Sequence, residues 1–456
     1  MLSIEYHRGT ILLNGYLEAE SELGFVHDDR VGKSRAAAIW YRDLLVHLNR
    51  ERIAFKDEVR DYKRLEGLNH TSEKSPRDYQ SEAVSAWSES GRRGVVVLPT
   101  GSGKSFVAEL IIAQANRSTL VLVPTIDLVN QWHGVLSSAF NQPIGMLGGG
   151  EHTIEEITVS TYDSAYIHAE KYGNRFGLIV YDEVHHLPSA AFSQTAEMYI
   201  APMRLGLSAT PERADDAHND LPWLVGPIVY RKEISELKSG VLSDYTIERV
   251  EVELTYDETI RYNEARAAYT SFIGRRRIFM GGPNGWGRFM QAAAQSRDGR
   301  AALRGHRESR EIMHQASGKF DALEEIIERH PLGCVLIFTN DNHTAYRVSR
   351  EFLVPCITHQ TPAKERKSIL AGFGAGEWRV IVTSRVLNEG VDMPAADVGV
   401  VISGTSTVRE HVQRLGRILR PLEGKSAVLY ELITVGTKEV DHSDSRRKHD
   451  AYSGTD

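Results

Sequence analysis

The stretch with the clearest chemical meaning is a short apolar run followed by a loop of glycine, serine and lysine. It reads Val95-Val-Val-Leu-Pro-Thr-Gly-Ser-Gly-Lys-Ser105 and continues into a helix-like segment. Glycines let backbone N–H groups turn toward phosphate, and a helix N-terminus adds partial positive charge. We therefore expect Lys104 to reach the β- and γ-phosphates of a nucleotide and Ser105 to ligate Mg²⁺. The candidate loop residues are Gly101, Ser102, Gly103, Lys104 and Ser105.

A second apolar run, Leu178–Tyr181, ends in two adjacent carboxylates, Asp182 and Glu183. At the end of a buried strand, Asp182 can hold Mg²⁺ through water and Glu183 can polarise the attacking water. The alternative is a hydrated acidic strand end, and the phosphate loop earlier in the chain argues against it. We expect His185 to link this nucleotide site to a facing domain.

Cations for the far side of such a site occur in Gln413-Arg-Leu-Gly-Arg-Ile-Leu-Arg420. On a helix, Gln413, Arg417 and Arg420 share one face because they are spaced i, i+4 and i+7. Arg417 and Arg420 are predicted to act as arginine fingers on the γ-phosphate. The alternative is a basic helix face in contact with solvent.

The elements that must position these residues are short, β-rich runs that alternate with helix-like stretches. Such runs are apolar throughout, as in parallel strands covered on both faces by helices. Two sets of runs predict two α/β domains with parallel sheets. The first set is Val95–Leu98, Leu120–Val123, Leu178–Tyr181 and Leu205–Leu207, and the second is Val335–Phe338, Val380–Val382, Val398–Ile402 and Ala427–Leu429.

Three segments depart from this alternation. Residues 1–70 predict a small α+β domain, with a hairpin over Ile4–Asn14 and an amphipathic helix after it. Residues 258–315 are rich in Arg, Ala and Gly and predict a polar insertion. The polar tail after Thr434 is predicted to be partly disordered.

Charge is distributed unevenly along the chain. The net charge of the 456 residues is −7, which by itself argues weakly against a nucleic-acid partner. Residues 261–310, however, contain eleven arginines and three acidic residues, a local excess of eight positive charges. Arginine contacts phosphate and aromatic rings stack on bases, so this segment is a candidate DNA contact. Its densest cluster is Arg275, Arg276 and Arg277, and its interleaved aromatic residues are Tyr262, Tyr269, Phe272, Phe279, Trp286 and Phe289. The alternative is a hydrated basic face over a small aromatic core.

Composition excludes several classes of protein. No apolar run approaches the ~18–20 residues of a membrane span. The two cysteines, Cys334 and Cys356, exclude a disulfide scaffold or a cysteine zinc site and favour a reducing cytoplasm.

The order of motifs resembles that of a superfamily-two helicase over residues 76–434. The resemblance implies an adenine-reading element at Arg77–Gln80, with Gln80 as the reader. It implies DNA-backbone contacts at Thr125, Trp132, Thr161 and Tyr162, and coupling between the ATP and DNA sites at Ser208-Ala-Thr210. It also implies contacts to ribose and phosphate at Gly390 and Asp392.

Within that superfamily the chain resembles the XPB type, the repair and transcription helicases. The resemblance rests on Arg77–Gln80, Val159–Tyr166, Asp182–Pro188 and Gln413–Pro421. It implies an N-terminal damage-recognition-like domain over 1–70, RecA-like motor domains over 71–235 and 236–456, and a helical thumb-like insertion at about 258–315. The family's Arg-Glu-Asp signature reads Arg213-Ala-Asp215 here, so DNA contacts are expected at Arg213 and Asp215, but the missing Glu puts the signature's role in duplex separation in question.

The resulting hypothesis is a DNA-dependent ATPase that uses ATP and Mg²⁺ to translocate on DNA and separate its strands, 3′ to 5′, in nucleotide excision repair. Its expected partners are DNA and a companion nuclease, without a membrane, and its expected location is the cytoplasm, associated with the nucleoid. Two alternatives stay open. One is an ATP-gated duplex translocase or scaffold that opens DNA for a nuclease, and the other is the motor subunit of a restriction system.

Overall fold

The apolar runs of the sequence form the central strands of two parallel sheets. In the computed structural model, the described residues are 2–213, 215–237, 245–281, 284–384, 396–403 and 427–447. The chain divides into two units, Met1–Lys232 and Glu233–Asp456. The α/β fold class predicted from the sequence is confirmed, because each unit is built around a predominantly parallel sheet with helices between its strands.

The first unit begins with a five-stranded sheet of order β3-β4-β2-β1-β5. The predicted hairpin forms from β1 and β2, which pair antiparallel, while β5 pairs parallel to β1. Helix α1 packs its apolar face, which includes Tyr41, Leu44 and Leu48, into the core of this domain. The elements are β1 (Leu2–His7), β2 (Thr10–Asn14), β3 (Val26–Asp28), β4 (Lys33–Ala37), α1 (Tyr41–Arg50) and β5 (Phe55–Glu58).

The larger sheet of the first unit has eight strands in the order β13-β6-β12-β11-β7-β10-β8-β9, all parallel to their neighbours except β9. Its strands are β6 (Arg93–Val97), β7 (Thr119–Val123), β8 (Ile144–Gly148), β9 (Glu151–Thr153), β10 (Ile157–Thr161), β11 (Leu178–Asp182), β12 (Met203–Ser208) and β13 (Ile228–Arg231). Its helices are α2 (Asp78–Glu89), α3 (Lys104–Ala115), α4 (Ile126–Ala139), α5 (Tyr162–Ile167), α6 (Ala169–Tyr172), α7 (Gln194–Glu197) and α8 (Leu221–Leu224).

The N-terminal sheet is joined to the larger sheet by specific contacts. The hydroxyl of Tyr6 donates to the carbonyl oxygens of Ala169 and Met198 at 2.7 and 3.1 Å. Ile200 belongs to the hydrophobic core of the N-terminal sheet. These contacts explain why both sheets fall within one unit, and the proposed boundary at residue 70 stays a prediction.

The second unit contains a six-stranded, all-parallel sheet of order β14-β19-β18-β15-β17-β16. Its strands are β14 (Tyr245–Val252), β15 (Val335–Phe338), β16 (Cys356–Ile357), β17 (Val380–Thr383), β18 (Val398–Val401) and β19 (Ala427–Thr434). Its helices are α9 (Ile234–Leu237), α10 (Tyr256–Arg275), α11 (Gly285–Ala294), α12 (Arg297–His314), α13 (Ser317–Arg329), α14 (Asn342–Phe352), α15 (Ala363–Ala375) and α16 (Lys438–Arg447).

Helices α10, α11 and α12 form the arginine-rich segment, which follows β14 and precedes β15 in the sequence. Helix α10 starts with a capping box, in which Thr255 and Glu258 satisfy each other's backbone N–H groups. Helices α10 and α12 pack closely, since a Cβ at Gly305 would collide with the carbonyl oxygen of Ala265. A larger residue at 305 would force the two helices apart.

The first part of the tail after Thr434 is helical. Residues Lys438–Arg447 form α16, and the ammonium of Lys319, which is fully buried, lies 2.6 Å from the Glu439 carboxylate on this helix. No sequence pattern indicated this helix, because a polar helix that docks on buried charge has no apolar periodicity. Residues 448–456 lie outside the described residues, and partial disorder of the tail stays a prediction. Within the described part of the chain, Cys334 and Cys356 are free thiols. Of the helices described, none combines the length and the apolarity that a bilayer span demands.

Candidate functional site

The phosphate loop lies between strand β6 and helix α3, as the sequence predicts. Gly101 and Gly103 have φ values of +84° and +83°, which residues with a side chain rarely adopt. The ammonium group of Lys104 donates to the carbonyl oxygens of Leu98 and Pro99 at 3.2 and 3.3 Å. The lysine is therefore held over the loop, at the start of helix α3, where an anion would meet both the ammonium charge and the helix N-terminus.

The predicted adenine-reading element packs directly against this loop. The side-chain amide of Gln80 donates to the carbonyl oxygen of Ser102 at 3.1 Å, and its oxygen accepts from the backbone N–H of Arg77 at 3.0 Å. The Tyr79 hydroxyl also donates to the Ser102 carbonyl, and the Ser102 hydroxyl donates to Pro99. In this arrangement Gln80 supports the loop, and its reading of adenine stays a prediction.

The acidic pair lies at the end of β11, whose neighbours in the sheet are β7 and β12. Asp182 is buried and accepts from the indole N–H of Trp132 at 2.8 Å and from the backbone N–H of Glu183 at 3.0 Å. Burial raises the pKa of Asp182, while the bond from Trp132 and the charge of Lys104 oppose that rise. A cation bound beside Asp182 would favour its ionised form further.

Glu183 has an unusual backbone conformation for a residue with a long side chain. Its φ of +47° and ψ of +53° are left-handed, which costs of order 1–3 kcal/mol and is found mainly at functional sites. The carboxylate approaches the Nδ1 atom of buried His185 at 3.4 Å. Although the two carboxylates are adjacent in the chain, that of Asp182 meets Trp132 and that of Glu183 meets His185.

His185 connects the acidic pair to Ser208 within the first unit. Its Nδ1 atom lies 3.4 Å from the Ser208 hydroxyl, which in turn accepts from the backbone N–H of Thr210 at 3.1 Å. The predicted link from His185 to a facing domain stays a prediction. Within the first unit, His185 lies between the acidic pair and the predicted coupling motif, Ser208–Thr210.

Two predicted DNA contacts point into the protein instead. Trp132 is 4% exposed and Tyr162 is fully buried. Trp132 donates to the Asp182 carboxylate, and the Tyr162 hydroxyl donates to the Asp182 carbonyl oxygen at 2.9 Å. These side chains position the acidic strand end and expose little surface, and their contacts to DNA stay predictions.

The threonines of the same two motifs lie at helix N-termini. Thr125 is exposed and caps α4 by accepting from the Leu128 N–H at 3.3 Å. Thr161 caps α5 by accepting from the Ser164 N–H at 3.1 Å, and it is largely buried. Their contacts to DNA stay predictions, and Thr125 has the more accessible side chain.

Arg213 and Asp215 form a bidentate ion pair with distances of 2.8 and 2.6 Å. The arginine also donates to the carbonyl oxygen of His185 at 2.8 Å. The neighbouring guanidinium lowers the pKa of Asp215 well below its ordinary value. The altered signature is therefore connected to the acidic pair through the contact of Arg213 with His185. The sequence pattern of the signature does not indicate this contact. Residue 214 lies outside the described residues.

The arginine cluster of the insertion lies at the C-terminus of α10. Arg275, Arg276 and Arg277 are all exposed. Arg275 lies 3.8 Å from Asp298, and the Arg276 guanidinium lies over the ring of Phe272 at 5.8 Å. These positions are compatible with contacts to phosphate, which stay predictions.

The aromatic residues of the insertion divide into two groups. Four of them, Tyr262, Tyr269, Phe272 and Phe289, are buried and form its core. Phe279 and Trp286 are 73% and 47% exposed. The sequence presented all six as candidates for base stacking, and the structure leaves only these two accessible.

The remaining predicted site residues, Gly390, Asp392, Gln413, Arg417 and Arg420, lie outside the described residues. Within those described, no cluster of three or more His, Cys, Asp or Glu side chains could hold a metal by itself. A Mg²⁺ ion that binds with a nucleotide needs fewer protein ligands, because phosphate oxygens and water complete its shell. Asp182 and Ser105 fit that type of site.

Comparisons with known families match three parts of the chain. The damage recognition domain of the xeroderma pigmentosum group B helicase matches residues 4–59. The res subunit of type III restriction enzymes matches residues 73–213, and the helicase conserved C-terminal domain matches residues 318–421. The DNA 3′-5′ translocase XPB2 of Sulfurisphaera tokodaii is 40% identical over 99% of this chain and 100% of its own length. The chain belongs to the XPB family of superfamily-two helicases.

Another member of the XPB family and a solved structure extend this comparison. The DNA 3′-5′ helicase XPB of Mycobacterium tuberculosis is 31% identical over 83% of this chain, which spans 64% of that protein. The crystal structure of the Hef helicase domain of Pyrococcus furiosus has a TM-score of 0.53 and 19% identity, covering 82% of this chain and 98% of that domain. This likeness supports a fold with two parallel-sheet domains of the helicase type.

Proposed function

We propose that this chain is an ATP-dependent DNA translocase and helicase of the XPB type, moving 3′ to 5′ on DNA and acting in DNA repair. The observation that carries the proposal is the contact between the acidic pair and the coupling motif, Glu183 to His185 to Ser208, beside the phosphate loop. Such a chain of contacts gives nucleotide hydrolysis a physical route to a second site. The names of the curated relatives support the direction of movement.

The residues of the first unit divide the chemistry among them. Lys104 and the amides at the start of α3 bind phosphate, Ser105 and Asp182 hold Mg²⁺, and Glu183 orients the attacking water. ATP supplies the phosphoanhydride bond whose hydrolysis drives movement. Arg417 and Arg420 complete the proposal as arginine fingers, a role that rests on their helical spacing.

Two variants test the ATPase directly. Lys104→Ala removes the phosphate-binding ammonium and Glu183→Gln removes the carboxylate that orients water. Each is expected to abolish DNA-stimulated ATP hydrolysis, and Glu183→Gln is expected to retain ATP binding. Turnover at the wild-type rate in either purified variant would overturn the assignment.

A second candidate function is translocation on duplex DNA without strand separation. Arg213, the first residue of the altered signature, is occupied by Asp215 and by the His185 carbonyl oxygen. The Sulfurisphaera relative is named a translocase. A strand-displacement assay with 3′ and 5′ overhangs separates the candidates, because strong ATPase without displacement favours translocation alone.

The proposal includes a cytoplasmic, nucleoid-associated location and a companion nuclease that acts on the opened DNA. Co-purification of a nuclease with the tagged chain would support the second point. A match to a restriction subunit spans only residues 73–213, whereas the XPB2 relative aligns over nearly the whole chain. We therefore favour repair over restriction.

A further inference from the structure

A cavity of about 510 Å³ opens beside the arginine-rich helix α12, away from the arginine cluster of α10. Leu303, His306, Arg307 and Arg310 line it from one face of α12, since they are spaced three and four residues apart. Trp286 and Met290 of α11 form a second wall, and the lining also includes the carboxylates of Glu311 and Asp341. A different face of α12 packs on α10, at Gly305, so α10 leaves the cavity side of this helix uncovered.

The two arginines of this cavity are available for an anion, while the Asp341 carboxylate accepts from the Thr344 N–H at the start of α14. Among the other arginines of the insertion, two have acidic neighbours: Arg261 pairs with Glu308 at 3.0 Å and Arg275 lies 3.8 Å from Asp298. Arg307 and Arg310 are exposed, and neither has an ion pair to a carboxylate among the residues that the structure describes. A bound phosphate would give these two guanidinium groups the anionic partner that the described residues do not supply.

The aromatic part of the wall, formed by Trp286 and His306, is uncharged. The ring centroids of Trp286 and His306 are 5.0 Å apart, and Trp286 remains half exposed. Burial, together with the charges of Arg310, Arg266 and Arg307, lowers the pKa of His306 to about 4, so its ring is uncharged near neutral pH. An exposed indole next to two exposed arginines suits a ligand that is aromatic at one end and anionic at the other.

We propose that this cavity, here called the α12 pocket, holds one nucleotide of a single DNA strand, with its base stacked on Trp286 and its flanking phosphates on Arg307 and Arg310. The occupant is a strand of DNA because the pocket lies in the segment of highest positive charge in this chain. The inference rests on the proposed function and adds to it a base-binding site distinct from Arg275–Arg277. An unpaired base held there would keep separated strands apart behind the motor.

The test measures the binding of the full chain, without ATP, to a fluorescent oligothymidylate. Trp286→Ala is expected to weaken binding roughly 5- to 150-fold, as for the loss of one stacked base. Trp286→Phe is expected to restore most of the affinity, because it retains an aromatic face. An oligonucleotide with abasic positions throughout is expected to bind wild type and Trp286→Ala equally.

The phosphate contacts are tested by a matched pair of double variants. Arg307→Ala with Arg310→Ala is expected to lower the slope of log affinity against log salt by about 1.4, for two lost contacts to a single strand. Arg300→Ala with Arg304→Ala removes the same charge from exposed positions of the same helix that do not line the pocket. A smaller change in slope is expected for this control pair.

Several outcomes would overturn the α12 pocket while leaving the proposed function intact. The first is an unchanged affinity of Trp286→Ala for oligothymidylate, and the second is an equal change of salt slope in the two double variants. The third is a loss of affinity of Trp286→Ala for blunt duplex DNA that equals its loss for oligothymidylate. In each case DNA-stimulated ATPase activity is preserved. If wild type instead shows no DNA-stimulated ATP hydrolysis, the proposed function itself fails. Because all the substituted side chains are exposed, circular dichroism is expected to show normally folded variants.

Discussion

Replacing Trp132 by phenylalanine tests whether this residue positions Asp182 or contacts DNA. The indole N–H donates to the Asp182 carboxylate at 2.8 Å, and both side chains are buried. Phenylalanine keeps most of the ring and removes the donor. Asp182 then retains the bond from the Glu183 N–H to its other oxygen.

The expected magnitude follows from the type of contact. A buried hydrogen bond to a charged group contributes about 1.5–3 kcal/mol, and phenylalanine has no donor to replace the indole N–H. Loss of a partner that orients a metal-binding carboxylate typically reduces metal affinity ~10–100-fold. We therefore expect Trp132→Phe to raise the Mg²⁺ concentration for half-maximal ATPase activity by about tenfold or more.

The assay is a Mg²⁺ titration of DNA-stimulated ATP hydrolysis, accompanied by DNA binding without nucleotide. Trp87→Phe is the matched control, because Trp87 is also buried and donates its indole N–H at 2.9 Å, in this case to the Arg204 carbonyl oxygen. Both variants are expected to be less stable in urea by about 1–3 kcal/mol. Only Trp132→Phe is expected to change the Mg²⁺ requirement.

One result would refute this reasoning. If Trp132→Phe weakens DNA binding without nucleotide and leaves the Mg²⁺ requirement at the wild-type value, then Trp132 contacts DNA and its bond to Asp182 has no role in metal binding. Equal changes in the Mg²⁺ requirement of both tryptophan variants would also refute it, since the effect would then reflect general destabilisation.

Three further predictions concern stability. Tyr6→Phe removes two hydrogen bonds to the larger sheet and is expected to lower the free energy of unfolding by about 1–2 kcal/mol, measured in urea; an unchanged value would mean that these bonds contribute nothing net. Lys319→Met leaves Glu439 buried without its cation and is expected to lower the free energy of unfolding by about 3–5 kcal/mol. Adding Glu439→Leu is expected to recover most of that loss. A double variant no more stable than Lys319→Met would contradict this expectation. Burial raises the pKa of Glu109, so the neutral carboxyl favours the fold at low pH and this contribution is lost as pH rises through the raised pKa. Glu109→Gln is therefore expected to lessen the loss of stability with rising pH, and a parallel pH profile for wild type and variant would exclude the effect.

Part of the architecture was predictable because its signals are local. The central strands β6, β7, β11 and β15 are continuous apolar runs, and such runs in a chain of alternating helices predict parallel sheets. Strand β10 was missed because Ile157-Thr-Val-Ser-Thr161 is half polar, although the structure buries all five residues. Strand β14 was missed because Tyr245–Val252 alternates polar and apolar residues and lies at the edge of its sheet.

The sequence by itself determined where nucleotide chemistry is located, since a phosphate loop and an acidic strand end each need only a few consecutive residues. Tertiary structure decided which way the neighbouring side chains point. Trp132 and Tyr162 turn toward Asp182, and Arg213 reaches the His185 carbonyl oxygen. These directions depend on the packing of strands and helices distant in sequence, because a side chain inside a motif can face either the strand end or solvent with the same pattern of residues.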